Sequence, residues 1–176
     1  TIMATPSYVF MCSKNFVWFV TSPFGGIDSI PKWTRVSDDL CKVSASEYFT
    51  AIAVSGDNNH HVYVGTTHGR IYRIFNAHDP ASMDITTKIA RIDGGTLPNR
   101  WITSLAIDPN DRNTLVVTYG AYDSTGSSRV YITNNVNSTD TLNPVAFRSI
   151  GEGLPLDVPV YCAAFHPSPS VGGAVH

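Results

Sequence analysis

Along this chain apolar and polar residues alternate over runs of four to six positions, and clusters of Gly, Asn, Asp, Pro or Ser separate the runs. Period-two alternation of that length, bounded by turn residues, predicts β-strands. The runs also recur in groups. Residues 49–54, 61–66, 70–75 and 87–92 form one group, closed by Gly94-Gly-Thr-Leu-Pro98. Residues 102–107, 115–119, 129–133 and 146–150 form a second, closed by Gly151-Glu-Gly-Leu-Pro155. Thr50-Ala-Ile-Ala-Val-Ser-Gly and Thr103-Ser-Leu-Ala-Ile-Asp-Pro hold matching places, and a third version, Tyr161-Cys-Ala-Ala-Phe-His-Pro, follows. Before residue 49, the runs 8–12, 16–20 and 32–36 match only the second to fourth members of a group. No stretch longer than ten residues keeps a 3.6-residue period, so the fold expected is all-β.

Self-similarity at this period marks a repeat architecture. Four-stranded antiparallel units of about fifty residues are the blades of a β-propeller, each burying its faces against its neighbours. The expected organisation is a partial blade over 1–48 (strands two to four) and full blades over 49–100 and 101–159. The first strand of a further blade, with a tail, occupies 160–176. About three blades fall short of the four to eight of closed propellers. The segment is therefore expected to be incomplete by itself, with the remaining blades coming from the same or another chain.

Composition narrows the setting. Only 15% of the 176 residues are charged, and the net charge is −2 with Lys and Arg scattered, so no basic stripe points to nucleic acid. No apolar run approaches the length of a membrane-spanning helix. The three cysteines exclude a complete disulfide framework. Cys12 and Cys162 lie in apolar runs and read as buried thiols; Cys12 with Cys41 is the pair to test for a bridge. No cofactor is implied.

Several phrases resemble a known family. Trp101-Ile-Thr-Ser-Leu-Ala-Ile-Asp-Pro-Asn-Asp-Arg-Asn-Thr-Leu115, Arg129-Val-Tyr-Ile-Thr-Asn-Asn135, Phe147-Arg-Ser-Ile-Gly-Glu-Gly-Leu-Pro155 and Val158-Pro-Val-Tyr161 are similar to extracellular BNR/sortilin-type propellers. Lys32-Trp-Thr-Arg-Val-Ser37 matches more loosely. The nearest likeness is to large secreted and surface proteins of Bacteroidota with a type IX secretion sorting domain. The resemblance implies an extracellular or cell-surface location and an Asp-box turn between the third and fourth strands of each blade. In Thr133-Asn-Asn-Val-Asn137 the opening of that motif is kept and its Gly is lost; Trp33 alone keeps the closing aromatic. Asp28-Ser-Ile, Asp123-Ser-Thr and Asp140-Thr-Leu resemble the short O-glycosylation signal of that phylum, making Ser29, Ser124 and Thr141 candidate acceptors. Asn137-Ser-Thr139 matches the N-glycosylation pattern.

In a propeller, loops leaving strand four and loops between strands two and three share one face. Arg100, Trp101, Tyr119, Tyr122 and Asp123 form the most site-like group on that face, an aromatic and cationic set suited to a sugar ring or an anchoring partner residue. Glycoside hydrolysis needs two carboxyls roughly 5–10 Å apart; Asp123 and Asp157 are the weak catalytic candidates, with Asp38 and Asp39 across the channel. His60, His61 and His68 suggest a metal cluster only on paper. The strand between them spans on the order of 20 Å, so they are expected at the surface and no metal site is assigned. Asp108, before Pro109, reads as turn chemistry. The expected function is a non-catalytic scaffold or binding module for protein or carbohydrate; the alternative is part of a propeller-type glycoside hydrolase.

Overall fold

The computed structural model describes residues 2–4, 8–21, 31–56, 60–79, 88–120, 122, 127–155 and 157–166. Among the described residues twelve strands form three antiparallel sheets of four, each joined in simple sequence order. The first sheet contains β1 (Ile2–Ala4), β2 (Tyr8–Cys12), β3 (Val17–Thr21) and β4 (Thr34–Arg35). The second contains β5 (Phe49–Val54), β6 (Val62–Thr66), β7 (Ile71–Ile74) and β8 (Ile89–Arg91). The third contains β9 (Ile102–Ile107), β10 (Leu115–Tyr119), β11 (Val130–Thr133) and β12 (Arg148–Ser149). The fold is all-β, as the alternation predicts.

The first sheet corrects the expected boundaries. β1 pairs with β2 in the register Ile2↔Met11, Met3↔Phe10 and Ala4↔Val9. The described residues before Phe49 therefore form a four-stranded sheet, with a first strand that the alternation pattern does not show. The three first strands lie side by side, β1 against β5 and β5 against β9.

Packing explains why the second sheet is the most buried among the described residues. A first core, with Phe10, Phe19, Phe49, Ile52, Val62, Val64 and Ile74, lies between the first and second sheets. A second, with Ala51, Tyr63, Ile71, Ile102, Leu105, Leu115, Val117 and Tyr119, lies between the second and third. Every residue of β6 and β7 is consequently buried, as expected of strands covered on both faces. Each fully buried Val, Leu, Ile or Phe stabilises by roughly 1.5–3 kcal/mol. The second and third sheets approach closely at Gly65 on β6, where a Cβ would lie 2.7 Å from Ile102 Cγ2 on β9. Only the missing side chain permits that spacing.

The repeat is also written in hydrogen bonds between sheets. Thr50 on β5 donates its hydroxyl to the Ile102 carbonyl at 2.6 Å, and Thr103 on β9 donates its hydroxyl to the Val160 carbonyl. Gly120 N–H bonds to Trp101 O at 2.9 Å, and Thr67 N–H to Tyr48 O at 3.0 Å. Val160 thus stands where Ile102 stands one unit earlier. Residues 157–166 form no strand, and Val160 lies beside β9 and β10 through its bonds to Thr103 and Tyr119.

Candidate functional site

A concavity lies where the first strands begin. It is a cleft of about 400 Å³ lined by Thr50, Trp101, Thr103, Gly120, Tyr122, Pro159 and Tyr161. Trp101 is held at the entry to β9, because its carbonyl accepts from Gly120, and its ring stands edge-on to Tyr48 at 6.4 Å. Tyr48 and Trp101 occupy matching places in consecutive units. Trp101 remains 52% exposed, Tyr122 77% and Tyr161 64%. The phenol oxygens of Tyr122 and Tyr161 lie 2.9 Å apart, and this hydrogen bond raises the Tyr161 phenol above its ordinary pKa. An apolar cleft with a few polar groups at its rim is the usual form of a small-ligand site.

The sequence-predicted group divides. Trp101 and Tyr122 meet in the cleft, and Tyr161, which sequence reasoning left out, joins them. Tyr119 does not: it is fully buried in the second core, its ring edge-on to Tyr131 at 5.7 Å. Burial pushes its phenol far up. Arg100 is absent from the cleft lining, and its charge acts instead on the Tyr131 phenol, offsetting part of the rise that burial causes. Asp123, with Ser124 and Ser29, lies outside the described residues. Among those described, no carboxylate lines the cleft; Asp157 is exposed in the closing loop, outside that lining. Asp39 is engaged in a turn, its Oδ1 accepting from Cys41 N–H at 3.0 Å, and Asp38 is exposed. Asp108 accepts from Asn110 N–H at 2.8 Å, the turn closure its position before Pro predicts.

The candidate glycosylation residues differ in access. Thr141 is exposed, in a turn where Asp140 Oδ1 accepts from Leu142 N–H at 2.8 Å. The Asn137 amide is committed. Its nitrogen donates to Arg112 O at 2.9 Å and to Asn113 Oδ1 at 3.2 Å. Its oxygen accepts from the Tyr63 hydroxyl at 2.7 Å and lies 3.2 Å from His61 Nδ1. A glycan on that nitrogen would break the donor bonds. Asn135 braces the turn after β11. Asn135 Oδ1 receives the Thr133 hydroxyl at 2.8 Å and Ala146 N–H at 3.1 Å, and Asn135 Nδ2 donates to Pro144 O at 3.0 Å.

The histidines are not surface groups throughout, contrary to expectation. His61 is buried, edge-on to Phe75 at 4.8 Å. His68 pairs with the Thr67 hydroxyl at 3.0 Å, and His60 packs against His78. The three residues adjacent in sequence share no site. Among the described residues no group of three or more His, Cys, Asp or Glu is placed to hold a metal. All three cysteines are free thiols, so the Cys12–Cys41 bridge does not form. Cys41 is buried and Cys12 half-buried, and burial raises both thiols to about 12; Cys162 is exposed, against the expectation of burial.

No protein-family model, no curated protein and no solved structure matches the chain. Among the described residues no helix is long and apolar enough to cross a membrane.

Proposed function

We propose that the chain is a segment of a BNR/sortilin-type β-propeller from a secreted or cell-surface protein, working as a non-catalytic module that binds carbohydrate. Three four-stranded sheets in sequence order, with their first strands adjacent, support the propeller reading. Val160, standing where Ile102 stands one unit earlier, supports a further blade beginning there. The observation that carries the binding reading is the cleft of Trp101, Tyr122 and Tyr161. Aromatic faces offer a flat apolar platform, and tyrosine adds a polar handle. A pyranose ring needs both, its C–H face for the platform and its hydroxyls for the rim. Among the described residues the lining is aromatic and hydroxyl-bearing, whereas hydrolysis requires an acid and a second carboxyl flanking the bond.

Affinity electrophoresis through gels holding soluble β-glucan or xyloglucan tests the reading. Retardation of the wild-type chain, lost in Trp101→Ala, is the expected result. Unretarded migration in both gels overturns the carbohydrate assignment. Release of reducing ends by the wild type moves the assignment to a glycoside hydrolase.

A further inference from the structure

The junction between the second and third sheets and the junction between the first and second are built from matching positions with opposite chemistry. At the later junction, Asn137 bonds to Asn113, Tyr63 and His61, as described above, and Arg73 donates to the carbonyls of Val136 and Ser138. Register places the earlier counterparts. Val136 N–H bonds to Asn113 O at 3.0 Å, and Ala77 N–H to His60 O at 3.3 Å, so His60 answers to Asn113 and His78 to Asn137. Cys12 faces Val17 as Gly65 faces Ile71. Tyr8 and Phe10 therefore answer to His61 and Tyr63, and Phe19 to Arg73.

At the earlier junction the matching residues differ in kind. Phe10 and Phe19 replace two donors, and two imidazoles replace two amides. The rings of His60 and His78 lie 4.9 Å apart at 73°, with Tyr8 at 4.8 Å from one and 5.5 Å from the other. The Nδ1 atoms of both are buried, and among the described residues neither has a hydrogen-bond partner. Buried polar atoms without partners call for an explanation.

We propose that His60 and His78 bind one divalent transition-metal ion of the zinc class, which clamps the first sheet to the second. Imidazole nitrogen suits zinc, copper and nickel. Two imidazoles on one tetrahedral ion, with Zn–N near 2.1 Å, place their ring centroids about 5 Å apart, matching the observed separation. Both residues are half-buried rather than sealed. Among the described residues no third His, Cys, Asp or Glu joins them. The ion takes the place that the Asn113–Asn137 hydrogen bond fills in the next junction, and the inference is independent of the aromatic cleft.

Calorimetric titration of zinc chloride into the metal-stripped chain at neutral pH tests this. One equivalent binds, and the thermal midpoint rises with zinc because the ion binds the native state. H60N/H78N recreates the pair found at the next junction, and Asn suits the left-handed backbone of residue 60 (φ 44°). The double variant keeps cooperative unfolding and loses at least tenfold in zinc affinity. No binding by the wild type, or unchanged affinity in the variant, overturns the proposal. Imidazole ¹H–¹⁵N spectra of the wild type supply a readout that needs no variant. Zinc shifts His60 and His78 and leaves His61 and His68 in place; shifts confined to the other histidines overturn the assignment.

Discussion

The hydroxyl of Thr50 reaches across the gap between two sheets to the carbonyl of Ile102, 2.6 Å away. Removing a hydrogen bond of this kind costs about 1 kcal/mol net. Thr50→Val is expected to lower unfolding free energy by that amount in a urea titration. Thr103→Val should cost about the same, because Thr103 makes the matching bond to Val160. A neutral Thr103→Val would show that residues 157–166 are not seated in solution.

Glu47 and Arg70 form an ion pair in which the carboxylate side chain is fully buried and the guanidinium 19% exposed. Breaking a buried pair from one side strands a charge. Arg70→Met is expected to destabilise by about 3 kcal/mol, and the double variant Glu47→Met/Arg70→Met to recover most of that loss. Chemical denaturation of the four proteins of the cycle measures both effects.

Asp93 predicts how stability depends on acid. Burial alone would raise its carboxyl. The Arg91 side chain at 2.7 Å on each oxygen, with the N–H groups of Ile71 and Gly95 at 3.3 Å, outweighs it and leaves the carboxyl below its ordinary 3.8. A folded pKa below the unfolded one stabilises the native state above the unfolded value, and that gain is lost as pH falls through the folded value. Unfolding free energy of the wild type should therefore drop below about pH 4. Asp93→Asn should lack that portion of the drop and be weaker by about 1–3 kcal/mol at neutral pH.

Thiol chemistry separates the cysteines. The nucleophile is the thiolate, and burial disfavours it at Cys12 and Cys41. A disulfide reagent added to the native chain should label Cys162 within minutes, and all three thiols only in denaturant. Mass spectrometry of the labelled peptides checks this.

The strand pattern was legible because alternation and turn residues act locally. The second and third units appear where the period places them, with β5, β6, β9 and β10 within a residue of their expected limits. β1 was not legible: three residues carry too little alternation to stand out, and pairing with β2 defines the strand. β12 is shorter than its apolar run implies, because only Arg148 and Ser149 find partners on β11. Trp101 and Tyr122 could be grouped because the connections that carry them emerge at one end of the sheets. Tyr119 was misplaced because β10 is covered on both faces, so alternation does not tell its sides apart. The His60–His78 contact was hidden for a different reason. Adjacency drew attention to His60, His61 and His68, whereas the partner of His60 arrives on the turn after β7. Only the match between His78 and Asn137, across two units, reveals the pair.

The threonine-to-carbonyl bonds have a direction. In both bonds the donor lies on a first strand and the acceptor in the segment that follows one repeat later, so the contact runs head to tail rather than face to face. A contact of that type presents different surfaces at the two ends of the row, and it ends only in a ring or at a capping unit. Among the described residues, the outer flank of the first sheet and the outer flank of the third are therefore unlike surfaces, and no single patch is repeated on both.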